Sequence, residues 1–131
     1  MDKVIFYASS LDHTEFADTI ITNTELKMMD FKTVNFSGCR FNNVVIYYSD
    51  LTGVSFDGQV FDSVKFEKTM LTNASFRSTT LRNVSFCTLN TITKKFYKAI
   101  KTIDFTDAKM DKLTYAALKG LDADLSKVTL L

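Results

Sequence analysis

A large apolar residue returns at every fifth position over most of this chain. From Phe6 to Phe86 in steps of five, all seventeen positions are Phe, Leu or Ile, and ten of them are Phe. The position two places before each is mostly Val, Thr or Ser, from Val4 to Val84. Small and β-branched residues suit an extended backbone packed in limited space. This five-residue period limits the fold more than any other feature of the sequence.

Neither an α-helix nor a flat strand can bury residues spaced five apart. Five helical steps rotate the chain by about 140° beyond a full turn, which scatters the side chains around the helix. In a strand, positions five apart face opposite sides because five is odd. The pattern therefore predicts short extended segments, each with two inward side chains, separated by corners. With four right-angled corners, about twenty residues close a square coil, and stacked coils hydrogen-bond at about 4.8 Å.

Folding the sequence at twenty residues per coil predicts four faces, each with a column of inward side chains. We number the faces in chain order. Gln59 falls at an inward place and should need a hydrogen-bond partner, and Phe96 is a candidate to extend face 1. The predicted columns are Phe16, Phe36, Phe56 and Phe76 for face 1; Ile21, Phe41, Phe61 and Leu81 for face 2; Phe6, Leu26, Ile46, Phe66 and Phe86 for face 3; and Leu11, Phe31, Leu51 and Leu71 for face 4.

Short motifs within this pattern resemble those of a known family. They are VNF at 34–36, NASF at 73–76, NVSF at 83–86 and ADL at 123–125. The sequence resembles the pentapeptide-repeat proteins, whose consensus is Ala-Asp/Asn-Leu followed by two variable residues. The resemblance covers residues 4–86 without a break and 103–131 with interruptions, although Val and Thr largely replace Ala here and Phe dominates the main position. It implies an all-β fold, a right-handed quadrilateral β-helix (a solenoid) with four pentapeptides per coil.

The period breaks near the C-terminal end. Thr91 misses it, and Phe105 and Met110 are shifted by one residue. Apolar residues at i, i+4 and i+7 predict an amphipathic helix over 93–103, and a second over about 111–118 with Gly120 as its stop. We therefore expect a single domain over 1–131, with regular coils over 4–90, two short helical interruptions and final repeats over 121–131.

Composition excludes several classes of protein. The net charge of +1 argues against a general binder of polyanions, although residues 1–60 carry a balance of −4 and residues 61–131 one of +5. Two cysteines cannot build a disulfide framework and fit a reducing compartment. No apolar run is long enough for a cleaved signal peptide or a membrane span. We expect a cytoplasmic protein with no membrane partner, and secretion without a cleaved signal stays open.

No residue pattern predicts catalysis. The single histidine, His13, falls at an outward corner, and Cys39 and Cys87 lie on different coils. There is no glycine-rich phosphate loop and no cluster with metal-ligand spacing. We therefore expect no catalytic, cofactor-binding or metal-binding residues, and no enzymatic activity.

Two surface features suggest binding. Twenty-residue folding brings exposed aromatic and apolar side chains together on face 3, which is typical of a protein contact; ordinary surface decoration is the alternative. The helix over 93–103 carries a lysine stripe, which suits an anionic partner or a solvated helix face. The aromatic patch consists of Tyr7, Met28, Val45, Tyr47 and Tyr48, and the stripe of Lys94, Lys95, Lys98 and Lys101.

The ends of a solenoid expose unpaired backbone and core side chains, which normally need a cover. We expect a second copy to dock end to end, forming a homodimer through Leu121, Leu125, Val128 and Leu130. The alternatives are that the two helices cover the end, or that the sequence is cut from a longer polypeptide.

These features favour a non-enzymatic protein-interaction scaffold whose partner is another protein. The family resemblance implies, more specifically, a recognition module of the bacterial effector type. It also implies an alternative, a regulator of DNA gyrase or topoisomerase that imitates duplex DNA by shape and negative charge. The net charge of +1 disfavours that alternative, and nucleic acid is not an expected partner.

Overall fold

Short extended segments dominate the fold, as the five-residue period predicts. The computed structural model describes residues 4–7, 15–29, 31, 34–86 and 94–131, and the side chains of 15–29, 31, 34–86 and 98–131. Its elements are β1 Val4–Tyr7, β2 Glu15–Ala17, β3 Ile20–Lys27, β4 Asn35–Ser37, β5 Arg40–Tyr47, β6 Val60–Glu67, β7 Thr80–Arg82, α1 Lys94–Lys101, β8 Lys109–Met110, α2 Lys112–Gly120 and β9 Thr129–Leu130.

The strands form two parallel sheets whose register repeats every twenty residues from β1 to β7. Seven strands lie in the order β1-β3-β5-β6-β7-β8-β9, and β2 pairs with β4. Ile21 is opposite Phe41, and Phe41 is opposite Phe61. Parallel neighbours offset by one coil are the geometry of a solenoid in which each coil bonds to the next. The right-handed quadrilateral β-helix predicted from the sequence is confirmed.

The predicted columns fill the interior. On face 1 the ring of Phe56 stacks between Phe36 and Phe76, with 5.2 Å between centroids on each side. On face 2 Phe41 and Phe61 stack at 4.8 Å with a 7° interplanar angle. Offset-stacked and edge-on arrangements at these distances are favourable for aromatic pairs. The core is thus a set of aromatic and aliphatic columns that run along the tube axis.

Each described corner between residues 18 and 83 is made by one residue with a positive φ. Gly, Asn, Asp and Ser take this left-handed conformation at most of them, because it costs Gly nothing and Asn or Asp little. The corner between faces 2 and 3 carries a ladder of polar side chains: Asn43 donates to Asn23 Oδ1 at 2.7 Å, and Asn83 to Ser63 Oγ at 3.2 Å. The corner between faces 3 and 4 differs, with Met28, Tyr48 and Lys68 at φ 53°, 51° and 50°.

Two helices interrupt the coils, as the sequence predicts. Thr80 pairs with Lys109 and Leu81 with Met110, an offset of 29 residues instead of twenty, and α1 lies in the interval. The offset returns to twenty between β8 and β9, where Met110 pairs with Leu130. Gly120 is the last residue of α2, where the sequence suggests a stop, and Leu121 is the C-cap. The left-handed residue that follows is Asp122, at φ 65°.

Helix α2 replaces an extended segment above face 3. Its N-cap is Asp111, whose carboxylate accepts from the Thr114 N–H at 3.1 Å. Thr114 and Leu118 are buried. The Thr114 hydroxyl accepts from the Val84 N–H of the coil below at 3.1 Å, so the helix satisfies a backbone donor that a strand would otherwise pair.

Candidate protein-interaction surface

Face 3 and its corner with face 4 carry the aromatic patch predicted from the sequence. Strand β5 presents Val45 and Tyr47 outward, because alternate residues of a strand face opposite sides. Tyr48 follows at the corner, directly above Met28 in the coil below and beneath Lys68 in the coil above. The twenty-residue register therefore places side chains distant in sequence on one continuous surface.

A single lysine joins the two tyrosines of the patch. The rings of Tyr47 and Tyr48 meet edge to face with centroids 4.4 Å apart. Lys68 Nζ donates to the Tyr48 hydroxyl at 2.6 Å and lies 4.8 Å from the Tyr48 ring centroid and 5.8 Å from that of Tyr47. Cation–π attraction and the hydrogen bond act together here. The cluster is thus held in one arrangement although it lies on the surface.

The same contact changes the acidity of both groups. The hydrogen bond from Lys68 lowers the pKa of Tyr48, and the same bond raises the pKa of Lys68. At neutral pH the pair is a charged ammonium that donates to a neutral phenol. The patch therefore presents one positive charge framed by aromatic rings.

The members of the patch differ in accessibility. Met28 and Tyr48 are each 51% exposed, whereas Val45 and Tyr47 are half-buried. Tyr7 pairs with Lys27 through the main chain, and its side chain lies outside the described residues. Sequence reasoning missed Lys68, although its position twenty residues after Tyr48 was the signal that could have found it.

The residues predicted for an end contact lie on the last described coil. Leu121, Leu125 and Val128 are half-buried against the core, and Leu130 is 46% exposed. Within the described residues β9 pairs on one side only, with β8. Helix α2 hydrogen-bonds to the coil below through Val84.

The lysine stripe is only partly described. All four lysines fall within α1, and Lys98 is exposed. Lys101 Nζ lies 3.4 Å from the Asp122 carboxylate. The side chains of Lys94 and Lys95 lie outside the described residues. Pairing of Lys101 reduces the charge that the stripe can offer.

No reactive group is assembled in the part of the chain that the structure describes. Cys39 is buried, and its thiol donates to the Phe16 carbonyl at 3.0 Å, while His13 and Cys87 fall outside the described residues. Metal-ligating side chains do not cluster in groups of three or more among the residues searched. Neither helix described here has the length and apolar character needed to cross a bilayer. The arrangement can bind, and nothing in the described residues assembles groups for chemistry.

Comparison with known proteins identifies the repeats. Residues 39–77 and 49–87 match the family model of pentapeptide repeats, with eight copies. No curated protein matches the chain.

Three solved structures resemble the fold at low identity. A trypsin-treated form of QnrB1, a plasmid-mediated fluoroquinolone resistance protein, is 16% identical with a TM-score of 0.40, covering 88% of this chain and 64% of that one. Full-length QnrB1 is 15% identical with a TM-score of 0.40, covering 88% and 66%. Rfr23 from the cyanobacterium Cyanothece 51142 is 11% identical with a TM-score of 0.33, covering 82% and 88%. The family match shows that residues 39–87 consist of pentapeptide repeats.

Proposed function

We propose that this protein is a non-enzymatic scaffold that binds another protein through the patch of Met28, Val45, Tyr47 and Tyr48, to which Lys68 is added. The observation that carries the proposal is the clamping of the two tyrosines by Lys68 on an exposed corner. Tyr and Met are enriched where proteins bind each other, and Tyr gives large contact area for little entropy loss.

Preorganisation supports this function. A ring already held in place loses less conformational freedom when a partner docks on it. The rigid coil beneath supplies the support, because Val44, Ile46 and Val64 behind the patch are buried. A flexible surface cluster of the same composition would bind less tightly.

The backbone conformation at the corner between faces 3 and 4 also supports the proposal. Left-handed angles cost an ordinary L-residue roughly 1–2 kcal/mol, yet Met28, Tyr48 and Lys68 adopt them in three successive coils. Asn or Gly would relax that strain, as at the other corners. Residues held in costly conformations are often kept for what they display.

The test is affinity capture with the whole chain as bait. Tyr47→Ala/Tyr48→Ala should lose at least one partner that the unchanged protein retains, because the aromatic contact area is removed. Leu113→Ala is the matched control, since Leu113 is 68% exposed on α2, away from the patch. Identical partners for all three proteins would contradict the proposal.

A more specific role is recognition of a host protein in the manner of a bacterial effector, which rests on the family resemblance. The same capture experiment run on bacterial and eukaryotic extracts addresses it. A patch-dependent partner from the eukaryotic extract is expected. Patch-dependent capture from the bacterial extract alone would contradict this role while leaving the scaffold proposal intact.

We also propose a homodimer through the last coil. Its support is the one-sided pairing of β9 together with the exposure of Leu130 beside Leu121, Leu125 and Val128. An unpaired strand edge is a template for another strand, and two-fold symmetry would let β9 meet its own copy.

The alternative function, binding of gyrase by a protein that mimics duplex DNA, predicts a strongly negative surface. Arg40 and Arg82 are both exposed on face 2, and the net charge is +1. We expect no effect in a gyrase supercoiling assay at micromolar protein. Inhibition or protection of gyrase there would revive the alternative.

A further inference from the structure

Face 2 carries a groove that none of the functions above uses. It runs across four successive coils, between two rows of outward side chains, with a volume of about 440 Å³. Its floor is the sheet, and the buried ring of Phe41 lies beneath. The lining includes Ile20, Arg40, Val60 and Thr80 from one row and Asp62 and Arg82 from the other.

Two exposed arginines rim the groove. The guanidinium groups of Arg40 and Arg82 make no hydrogen bond or ion pair within the described part of the chain, and both side chains are exposed. The third arginine differs, since Arg77 Nε lies 3.5 Å from the Asp104 carboxylate. A guanidinium is a planar fork of donors that matches a carboxylate or phosphate. Two exposed guanidinium groups on one groove therefore favour an anionic ligand.

The positions of the arginines give a length scale. Thr80 stands opposite Val60, and Val60 opposite Arg40, so Arg82 lies two coils above the coil of Arg40. Two coil spacings correspond to about 10 Å along the tube axis. An extended peptide advances about 3.3 Å per residue, so acidic side chains two to four residues apart fall within reach of both arginines.

Apolar side chains one coil below and one coil above Arg40 favour a peptide over a polyphosphate as the ligand. Ile20 is 63% exposed and Val60 is half-buried in the same groove. Asp62 adds a carboxylate that would repel a continuous row of phosphates, and its one side-chain donor among the described residues is Ser63 Oγ, at 3.1 Å. A phosphate backbone makes no apolar contact with the Ile and Val side chains of the groove, whereas a peptide can pack an apolar side chain on them.

We propose that the face 2 groove binds an extended acidic peptide segment of a partner protein, with two carboxylates on Arg40 and Arg82 and apolar side chains on Ile20 and Val60, which flank Arg40. The bound segment lies along the tube axis. Its backbone gains no sheet pairing, because the hydrogen bonds of these strands already run between coils. Recognition is therefore by side chains, and the site is independent of the aromatic patch on face 3.

The experiment uses fluorescein-labelled octapeptides and fluorescence anisotropy with the whole chain. In the set, two glutamates stand two, three or four residues apart, and valine or serine fills the other places. The matched neutral peptides carry glutamine for glutamate, and a single-stranded oligothymidine tests a phosphate ligand. Solutions contain 0.15 M salt, where the Debye length of about 8 Å screens distant charges.

At least one glutamate–valine peptide should bind one to one with a Kd below about 1 mM. Arg40→Glu/Arg82→Glu should weaken its binding at least tenfold. Lys98→Glu/Lys119→Glu changes the net charge equally on the helices and should weaken it less than twofold. Ile20→Ser should remove the preference for valine over serine peptides. Circular dichroism should show all variants folded, because the exchanged side chains are exposed.

Several outcomes would overturn the proposal. Failure of every glutamate peptide to bind at 1 mM is one, and equal binding of the glutamine peptides is another. Equal loss in the two charge-reversal variants would place the anion elsewhere. Oligothymidine that binds more tightly than the peptides, and competes with them, would make the groove a nucleic-acid site. None of these results bears on capture through Tyr47 and Tyr48.

Discussion

Phe105 stacks on Phe76 with ring centroids 5.7 Å apart, although 29 residues separate them instead of the twenty found elsewhere in the column. The backbone agrees, because the Phe76 N–H donates to the Asp104 carbonyl at 2.8 Å. Phe96, the sequence candidate for this place, falls in α1, and its side chain lies outside the described residues. The column thus resumes with Phe105 after α1.

The aromatic column on face 1 predicts a position-dependent loss of stability. Phe56→Ala should lower the free energy of unfolding by about 3–5 kcal/mol, because it empties a fully buried site between two stacked rings. Phe16→Ala is the matched control, since Phe16 is half-buried and stacks only on Phe36 among the described residues. Urea denaturation measures both. Equal losses would contradict a column that is tightest at its centre.

Much of this interior was predictable from the five-residue period alone. Burial of one side chain in five, with a small one two places earlier, has few geometric solutions, so the columns of Phe36, Phe56 and Phe76 followed directly. The need of Gln59 for partners was also predictable. Its Nε2 donates to the Phe36 and Asp57 carbonyls at 3.2 and 2.7 Å, and its Oε1 accepts from the Cys39 N–H at 2.6 Å.

The rest depended on contacts that the period does not encode. The length of the interruption, and thus the partner of Phe76, depends on how α1 packs. The left-handed turn after α2 is made by Asp122 and not by Gly120, the glycine that the sequence offers at that place. The role of Lys68 depends on its side-chain rotamer over Tyr48, which only the three-dimensional arrangement shows.

The cap of α2 predicts a pH-dependent stability. Burial acts to raise the pKa of Asp111, but hydrogen bonds from Thr114 and the Asn83 N–H outweigh it and hold the pKa below its usual value. A lowered folded-state pKa contributes stability above the unfolded pKa of about 3.9, and this is lost as pH falls through the folded pKa. Asp111→Ala should cost about 1 kcal/mol at pH 7, through loss of the cap.

Thermal unfolding from pH 7 down to acid measures this effect. The difference between the unchanged protein and Asp111→Asn should shrink with falling pH, because protonation removes the charge that Asn lacks. Asp107→Asn is the control, since Asp107 occupies a left-handed corner that Asn tolerates. A constant difference at every pH would contradict a charged cap.

The clamp on the aromatic patch predicts one unusually acidic tyrosine. Ultraviolet titration should show one of the five tyrosines ionising below the ordinary value of about 10, because the hydrogen bond from Lys68 lowers the pKa of Tyr48. Lys68→Met should return that transition to the ordinary range. Lys65→Met, which removes an exposed lysine from face 3, should leave it in place. An unchanged titration in Lys68→Met would refute the clamp.

The end contact predicts a concentration-dependent dimer. Light scattering at about 100 μM should give twice the chain mass of 14.9 kDa, and dilution should give the monomer by mass action. Leu130→Lys should yield monomer at both concentrations, because it places a charge in the apolar contact. Leu113→Lys alters a more exposed leucine on α2 and should still dimerise. A monomer of the unchanged protein at high concentration would rule the contact out.

The twenty-residue register has a consequence for engineering. Each coil hydrogen-bonds to the coils next to it, and Ile20, Arg40 and Val60 occupy equivalent places in successive coils. Excising 40–59 would therefore bring Val60 against Ile20 with every backbone donor still matched, whereas removing ten residues would rotate all later faces by half a turn. The tube can therefore be shortened or lengthened only by whole coils of twenty residues.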